Sequence, residues 1–166
     1  MAVPWTGFPL AKLVELCERL PDRGQFVRFV SAARPDEMPG WYASRRVFPY
    51  YEALTIEEAT HELAFVATGI YGHPLPPQHG APIRLVLPWK YGFKSAKSIV
   101  AIQFTDERPG TFWNTLSPKK YGWSSNVDPT ETVPWSQSHE TMLGGEEQRP
   151  TLPFNGYGEL VAKLYA

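Results

Sequence analysis

The sequence predicts a mixed α+β fold in which paired strands predominate and long ordered loops connect them. Runs rich in β-branched and aromatic residues, which are typical of strands, outnumber the helical patterns. The chain also has 17 prolines, about twice the usual share of ~5 %, and prolines favour extended segments over long helices. Its 166 residues, 43 % of them hydrophobic, suit one core. We therefore expect residues 1–166 to form a single domain.

Helices are predicted at three places. Residues 9–21, PLAKLVELCERLP, carry apolar side chains at helical spacing, and their two prolines suit the first turn and the end of a helix. Thr55 followed by Glu58 has the pattern of a capping box, which predicts that a short helix begins there. A third short helix is predicted from about Glu159. Cys17, the only cysteine, lies on the apolar stripe of the first helix, so we expect a small buried side chain rather than a catalytic thiol.

Four strands and two long loops complete the predicted elements. Residues 98–105, SIVAIQFT, are largely apolar on both faces, which predicts a central strand. Residues 34–53 and 106–153 contain many turn-forming residues and are expected to be mostly irregular. Loops of this length are uncommon in a compact domain unless they are functional or pack on structure outside the chain. The predicted strands are residues 25–31, 64–72, 83–88 and 98–105, with a turn at WKYGFK, residues 89–94.

Composition argues against several classes of protein. The formal net charge of −1 does not favour a general attraction to nucleic acid. No apolar run reaches the ~18 residues of a membrane-spanning helix, and the first residues, MAVPWTGFPL, lack the features of a signal peptide. A single cysteine excludes an internal disulfide and a cysteine-rich zinc site. His73 and His79 are expected to be loop histidines rather than metal ligands.

One stretch, residues 63–105, contains no Asp or Glu. Its cations are Arg84, Lys90, Lys94 and Lys97, and glycines near them allow a ligand to approach the backbone. Arginine offers a fork and lysine a point charge to phosphate oxygens, so the stretch suits a phosphate-bearing ligand. A solvated basic face that protects a strand edge explains the composition equally well. Arg84 favours the ligand site, because an arginine buried in an apolar strand needs an anionic partner.

Six motifs link the chain to a known enzyme family. They are AVPWTGFPLAKL, PDEMPG, GHPLPPQHGAPIRLVLPWKYGFKSAKSIVAIQFT, TFWNTLSPKKYGWSSNVDP, WSQSHE and TLPFNGYGELVAKLY, in this order. Over essentially its whole length the chain resembles the catalytic subunits of periplasmic protein-methionine-sulfoxide reductases, which are sulfite oxidase-like molybdenum enzymes. The resemblance implies the sulfite oxidase-type fold, a molybdenum–molybdopterin cofactor, and the reduction of methionine sulfoxide, free or in proteins, to methionine. It also implies a periplasmic location, a role in protein repair, and a haem-containing membrane subunit as electron donor.

By the same resemblance, six residues are expected to contact the cofactor. Their groups are a serine hydroxyl, an imidazole, a guanidinium, and a turn that offers backbone N–H groups and a lysine ammonium. Such groups suit a phosphate and the polar edge of a pterin. The expected contacts are Ser31, His79, Arg84, Ser95, Ala96 and Lys97.

The resemblance also implies that part of the family's site lies outside this chain. The family's molybdenum-ligating cysteine would precede the segment that begins this chain, and Cys17 does not align with it. We therefore expect the C-terminal half of a longer enzyme, with no catalytic residue or metal ligand of its own. Such a chain would bind the cofactor only with the other half and would be inactive alone. Two alternatives remain open: another oxidoreductase of the sulfite oxidase family, or a non-catalytic remnant that binds an anion or a pterin.

Overall fold

Antiparallel strands and short helices make up the structure, a computed structural model that describes residues 3–17, 24–38, 48–131, 138–141 and 147–166. Strands predominate over these ranges, which confirms the expected α+β class. The predicted end of the first helix at Pro21 and parts of both expected loop regions lie outside the described residues. Within them, the structure contains no helix of the length and apolarity needed to cross a membrane.

The regular elements are short. The strands are β1 (Trp5–Pro9), β2 (Phe26–Ser31), β3 (Tyr51–Thr55), β4 (Phe65–Ile70), β5 (His73–Pro74), β6 (Arg84–Val86), β7 (Ile99–Thr105), β8 (His139–Thr141) and β9 (Gln148–Pro150). The α-helices are α1 (Leu10–Leu16), α2 (Ile56–Thr60), α3 (Phe112–Leu116) and α4 (Gly158–Val161). Short 3₁₀ segments occur at Pro77–His79, Gly92–Lys94, Pro153–Gly156 and Ala162–Tyr165.

The first sheet is organised around β4. β1 pairs with β4 along one edge, whereas β6 and β5 share the other edge, and all of these pairs are antiparallel. β1 was not predicted, because its five residues contain a glycine and a proline in place of a strand-like run. That glycine, Gly7, allows the close approach of the two strands, since a Cβ there would lie 1.9 Å from the carbonyl oxygen of Val66.

The second sheet has the order β3–β2–β7. The predicted central position of residues 98–105 is therefore wrong: β2 lies in the middle, and β7 lies at an edge. Apolar residues on both faces of β7 misled the prediction, because one of them, Val100, is 63 % exposed. β3 was also missed, since it includes residues 51–53 of the expected irregular connection.

Two short elements that were not predicted interrupt the largely irregular region of residues 106–153. Helix α3 and the hairpin of β8 with β9 both lie in this region. The predicted starts of the three helices are confirmed, although α1 ends at Leu16, before the predicted end at Pro21. The hydroxyl of Thr55 accepts from the Glu58 amide at 3.1 Å, and the Glu58 carboxylate accepts from the Thr55 amide at 3.0 Å, so the capping box begins α2. Cys17 lies just after α1 and is half-buried.

One hydrophobic cluster joins the two sheets. It contains buried residues from β2, β3, β4, β6 and β7, and from α1, α2 and α4. Trp89, in the segment after β6, is fully buried in this cluster. Its indole N–H donates to the Tyr165 hydroxyl at 2.8 Å, which attaches the end of the chain to the core.

Two lysines of the acid-free stretch form buried ion pairs with carboxylates from other parts of the chain. Lys90 Nζ lies 2.6 Å from Glu58 Oε1, and Lys94 Nζ lies 2.9 Å from Glu52 Oε2. All four side chains are at most 1 % exposed. A solvated basic face is therefore wrong for these lysines. Burial lowers the pKa of Lys90 to about 8, although the Glu58 carboxylate opposes this effect.

The Lys90–Glu58 pair should be important for stability. Glu58→Gln leaves the Lys90 ammonium buried without its counter-charge, so we expect the free energy of unfolding to fall by about 3 kcal/mol in urea denaturation. The matched control is Glu15→Gln, which removes the exposed Lys12–Glu15 pair and should cost less than about 1 kcal/mol. Equal losses in the two variants would contradict the prediction.

Tyr165 should make stability fall at high pH. Burial and then the neighbouring Glu58 carboxylate raise the pKa of this phenol above its ordinary value of 10.0. Below pH 10 the phenol is protonated in both folded and unfolded states, whereas above pH 10 only the unfolded state loses its proton. Stability should therefore decrease as the pH rises past 10, and Tyr165→Phe should reduce this decrease in denaturation curves measured across that range. An unchanged slope in the variant would refute the assignment.

Candidate functional site

A cavity of about 910 Å³ lies beside the end of β2 and the beginnings of β6 and β7. Its volume falls within the ~300–1,000 Å³ range of ligand pockets. Its wall combines cationic, small polar and aromatic side chains with the exposed Arg34–Glu37 ion pair. Those that decide its chemistry are Ser31, Tyr50, Arg84, Phe93, Lys97 and Trp113.

Arg84, the first residue of β6, presents a guanidinium with no acidic partner among the described residues. Its Nε donates to the Leu85 carbonyl at 3.1 Å, and its Nη1 donates to the His79 carbonyl at 3.3 Å. The guanidinium also lies over the Trp5 ring, 4.7 Å from the ring centroid. Burial lowers the pKa of Arg84, and no carboxylate offsets this cost. An anionic ligand in the cavity would supply the missing counter-charge.

Lys97 lies close to Arg84 because of a glycine between them. Gly80 has a φ of +108°, and a Cβ there would lie 2.7 Å from the Cβ of Lys97 and 3.2 Å from that of Arg84. A side chain at this position would force the two cations apart. Lys97 Nζ donates to the Gln78 carbonyl at 3.0 Å, and the Lys97 side chain is exposed at the cavity wall. The two cations therefore face the cavity with carbonyl partners only.

Ser31 places a hydroxyl without a partner in the same wall. It is the last residue of β2, where the register with β7 shifts between Val30 and Ser31. Its Oγ is buried and makes no hydrogen bond to any described residue. Ser95 also lines the cavity, but its Oγ already accepts from the Leu87 amide at 3.2 Å. A buried hydroxyl without a partner is costly, so Ser31 indicates a polar ligand group in the cavity.

The structure does not bring all six predicted contacts to the cavity. The His79 side chain is exposed and does not line the wall, whereas its carbonyl holds Arg84. Ala96 is buried away from the cavity. The expected N–H groups are also engaged: Ser95 N–H donates to the Gly92 carbonyl at 3.2 Å, and Ala96 N–H donates to the Lys94 carbonyl at 3.1 Å. The turn that positions Lys97 thus uses these two amides internally.

Sequence reasoning missed the aromatic part of the wall. Tyr50, Phe93 and Trp113 come from three separate segments, and no spacing in the sequence connects them. Phe93 lies 6.4 Å from Trp113 between ring centroids in an edge-to-face contact. The density of aromatic residues in the chain was the only available signal, and it did not distinguish core rings from cavity rings.

Tyr50 connects the cavity wall to the buried Lys94–Glu52 pair. Its hydroxyl donates to the Phe93 carbonyl and lies 3.2 Å from Glu52 Oε1. Burial, and next the charge of Glu52, raise the pKa of Tyr50 far above its ordinary value. The phenol therefore stays protonated at neutral pH.

The arrangement suits a particular kind of ligand. Two cations and a hydroxyl without a partner favour an anionic group with polar edges, and the aromatic rings favour a flat or apolar part. Among the described residues, no group of three or more His, Cys, Asp or Glu side chains could hold a metal ion.

The chain is similar to several known proteins. A profile of the family described as "Oxidoreductase molybdopterin binding domain" matches residues 1–113. The protein-methionine-sulfoxide reductase catalytic subunit MsrP of Burkholderia mallei is 48 % identical over 170 residues, which cover 99 % of this chain and 51 % of that protein. The chain thus spans about half the length of the curated relative that it matches. The sulfane dehydrogenase SoxCD of Paracoccus pantotrophus is 21 % identical in its crystal structure, with a TM-score of 0.48, over 62 % of this chain and 23 % of that chain.

The family match includes the residues that build the cavity. Residues 1–113 comprise β1 to β7 and extend to Trp113 in α3. The cations, the serine hydroxyl and the aromatic rings of the wall all lie within them. On the extent of this match, the chain belongs to the oxidoreductase molybdopterin-binding domain family.

Proposed function

We propose that this chain forms one wall of the molybdenum–molybdopterin site in an enzyme that reduces methionine sulfoxide, free or in proteins, to methionine. The observation that carries the proposal is the convergence of Arg84, Lys97 and the Ser31 hydroxyl on one cavity. The family match supports the cofactor, and the description of the relative as a protein-methionine-sulfoxide reductase supports the substrate.

The residues of the cavity fit a molybdopterin. An arginine has five N–H donors, and only two of those of Arg84 are used within the described chain. The remaining donors suit the fork of contacts that a phosphate accepts. Lys97 adds a second charge, and Ser31 offers a hydroxyl to the polar edge of the pterin. Of the six expected contacts, we retain Ser31, Arg84 and Lys97 as cofactor-binding residues, and Ser95 through its O–H donor only, because its N–H already donates to the Gly92 carbonyl.

In the mechanism, the chain binds and orients. The cofactor, when bound, supplies the two-electron chemistry that removes oxygen from sulfur. Arg84 and Lys97 hold its anionic group, and the stack on Trp5 fixes the plane of the guanidinium. Phe93 and Trp113 offer apolar ring surface to the flat part of the ligand. A fixed electrostatic frame of this kind lowers the cost of reorganisation during reaction.

The same proposal includes a partner subunit and a cellular location for the enzyme. The relative is described as a catalytic subunit, which supports the existence of a partner that delivers electrons. We propose that this partner is a haem-containing membrane subunit, and that the enzyme repairs oxidised proteins in the periplasm. The sequence motifs that resemble periplasmic reductases support these last points.

Arg84 should be required for cofactor retention. In the cofactor-loaded protein that contains this chain, Arg84→Ala should lower the molybdenum and pterin content at least about tenfold, because charge-assisted hydrogen bonds are lost. Arg84→Lys should lie between this variant and the wild type, since it keeps the charge but loses the fork. His73→Ala, an exposed change in β5 outside the cavity wall, is the control and should keep the full content. Wild-type content in Arg84→Ala would rule out the assignment.

The substrate can be tested directly in the cofactor-loaded protein. With a reduced dye as electron donor, we expect turnover of methionine sulfoxide, both as the free amino acid and in an oxidised protein. Sulfite oxidation with an artificial acceptor is the matched negative assay. Sulfite oxidation without sulfoxide reduction would replace the proposed activity by another one of the same cofactor class. Cofactor binding without either activity would support a non-catalytic role.

A further inference from the structure

A second cavity lies next to the cofactor cavity, the one that Arg84 and Lys97 line. Its volume is about 360 Å³, which is within the ~300–1,000 Å³ range of ligand pockets. Phe93 lines both cavities. Beside it, Trp113 of the cofactor cavity stacks on Tyr121 of the second cavity, with 4.9 Å between the ring centroids. A partition of aromatic rings therefore separates the two cavities.

The wall of the second cavity offers ring surface on several sides. Tyr91 and Phe93 are nearly parallel, with 12° between their planes and 6.0 Å between their centroids. Phe93 meets Tyr121 edge to face at 5.3 Å. A cavity lined in this way suits the hydrocarbon stem of a long side chain, and the faces of the rings attract a cation. The rings of the wall are those of Tyr91, Phe93, Tyr121, Trp123 and Phe154.

Two carboxylates accompany these rings. The hydroxyl and the amide of Thr130 donate to Asp128 Oδ1 at 2.6 and 2.8 Å, which holds the pKa of Asp128 below its ordinary value and keeps it ionised. Glu131 is exposed at the wall, and its carboxylate makes no hydrogen bond or ion pair with any described residue. Among the described residues, Lys120 is the one lysine or arginine that lines this cavity. The wall is therefore negative on balance.

The backbone of the wall has an unusual conformation at two places. Ser125 has a φ of +49° and Phe154 has a φ of +52°, a region that residues other than glycine rarely adopt. The Phe154 amide donates to the Val127 carbonyl at 2.6 Å, and its ring stacks on Tyr165 with 5.6 Å between centroids. These contacts hold the Phe154 ring in place in spite of the strain. Strained residues are concentrated at functional sites, which supports a ligand in this cavity.

The thickness of the partition matches the spacing of side chains in an extended peptide. Two groups in van der Waals contact with opposite sides of one ring are roughly 7–8 Å apart. In an extended chain, the side chains of residues i and i+2 point to the same side and lie roughly 7 Å apart. Two such side chains of one peptide can therefore enter the two cavities on either side of Phe93.

We propose that the second cavity binds a lysine or arginine side chain of an oxidised protein, two residues away from the methionine sulfoxide that enters the cofactor cavity. The inference rests on the proposed function for the identity of that substrate. The rings surround the hydrocarbon stem, and the carboxylates of Asp128 and Glu131 attract the charged end. Free methionine sulfoxide has no neighbouring side chain to place there, so the second cavity favours a methionine sulfoxide within a polypeptide.

The spacing and the charge are tested with synthetic peptides and the cofactor-loaded protein that contains this chain. Each peptide has blocked ends and one methionine sulfoxide among glycines, with a single lysine one to four residues away on either side. We expect the lowest KM with the lysine two residues away, about fivefold below that of the peptide with glutamate at the same place. The value of kcat should stay the same, because the added contact is remote from the reacting atoms.

Two results with these peptides would contradict the proposal. An equal effect of lysine at every position would show a general attraction between opposite charges and would overturn a specific subsite. A leucine that lowers KM as much as the lysine does would show that the cavity takes an apolar side chain, which overturns the cationic class.

Glu131 provides the matched test in the protein, because its side chain is exposed and its replacement leaves the core intact. Glu131→Gln should remove most of the advantage of lysine over glutamate, and Glu131→Lys should remove it entirely. Neither variant should change KM for the peptide that contains only glycines and methionine sulfoxide. Glu107→Gln, an exposed change outside both cavities, is the control and should keep the full advantage. A lysine advantage that persists in Glu131→Lys overturns the proposal.

Binding without turnover separates this inference from the proposed function. Peptides with methionine in place of the sulfoxide are titrated into the cofactor-loaded protein by calorimetry, with lysine or glutamate two residues away. We expect about fivefold tighter binding of the lysine peptide, and Glu131→Gln should remove most of this difference. If this preference occurs without any sulfoxide reduction, the proposed substrate is wrong and the subsite for basic side chains stands. If sulfoxide is reduced with no preference for lysine in KM or in binding, the subsite is wrong and the proposed function stands.

Discussion

The buried pairing of Lys90 with Glu58 and of Lys94 with Glu52 is the constraint on which the site depends. These contacts fix the segment between β6 and β7 against β3 and α2, which come from a different part of the chain. The turn that follows Lys94 then places Ser95 and Lys97 at the cavity wall. Replacement of such a buried pair by apolar residues can be neutral for stability, whereas removal of one partner alone is strongly destabilising. Here the two Lys–Glu pairs orient the turn that contributes Ser95 and Lys97 to the cavity wall.

The sequence predicted local features well and long-range ones poorly. The capping box at Thr55 and the strand at residues 25–31 depend on neighbouring residues, and the structure contains both. The order of the strands depends on pairing across the chain, so β7 was assigned to the centre when it lies at an edge. β1 escaped detection because its pairing with β4 is possible through a glycine, which has little strand propensity of its own.

The same limit applies to the site. Arg84, Lys97 and Ser31 could be selected from the sequence through the family motifs, and the structure places them in one wall. The acid-free stretch suggested four free cations, but spatial neighbours from β3 and α2 neutralise two of them. Residue spacing carries no information about such partners. Tyr50, which joins the cavity to a buried carboxyl group, could be recognised only once the fold brought the segments together.

The stack of Arg84 on Trp5 makes Arg84 more rigid than Lys97, the neighbouring cation of the wall. A planar guanidinium held against an indole has lost most of its rotational freedom before any ligand arrives. The exposed Lys97 side chain keeps much of its freedom, since a single carbonyl contact holds its ammonium group. Arg84 therefore sets the orientation of a bound anion, whereas Lys97 adapts its position to the size of that anion. Such a site discriminates between ligands by the orientation of their anionic group, and it tolerates variation in the length of the ligand.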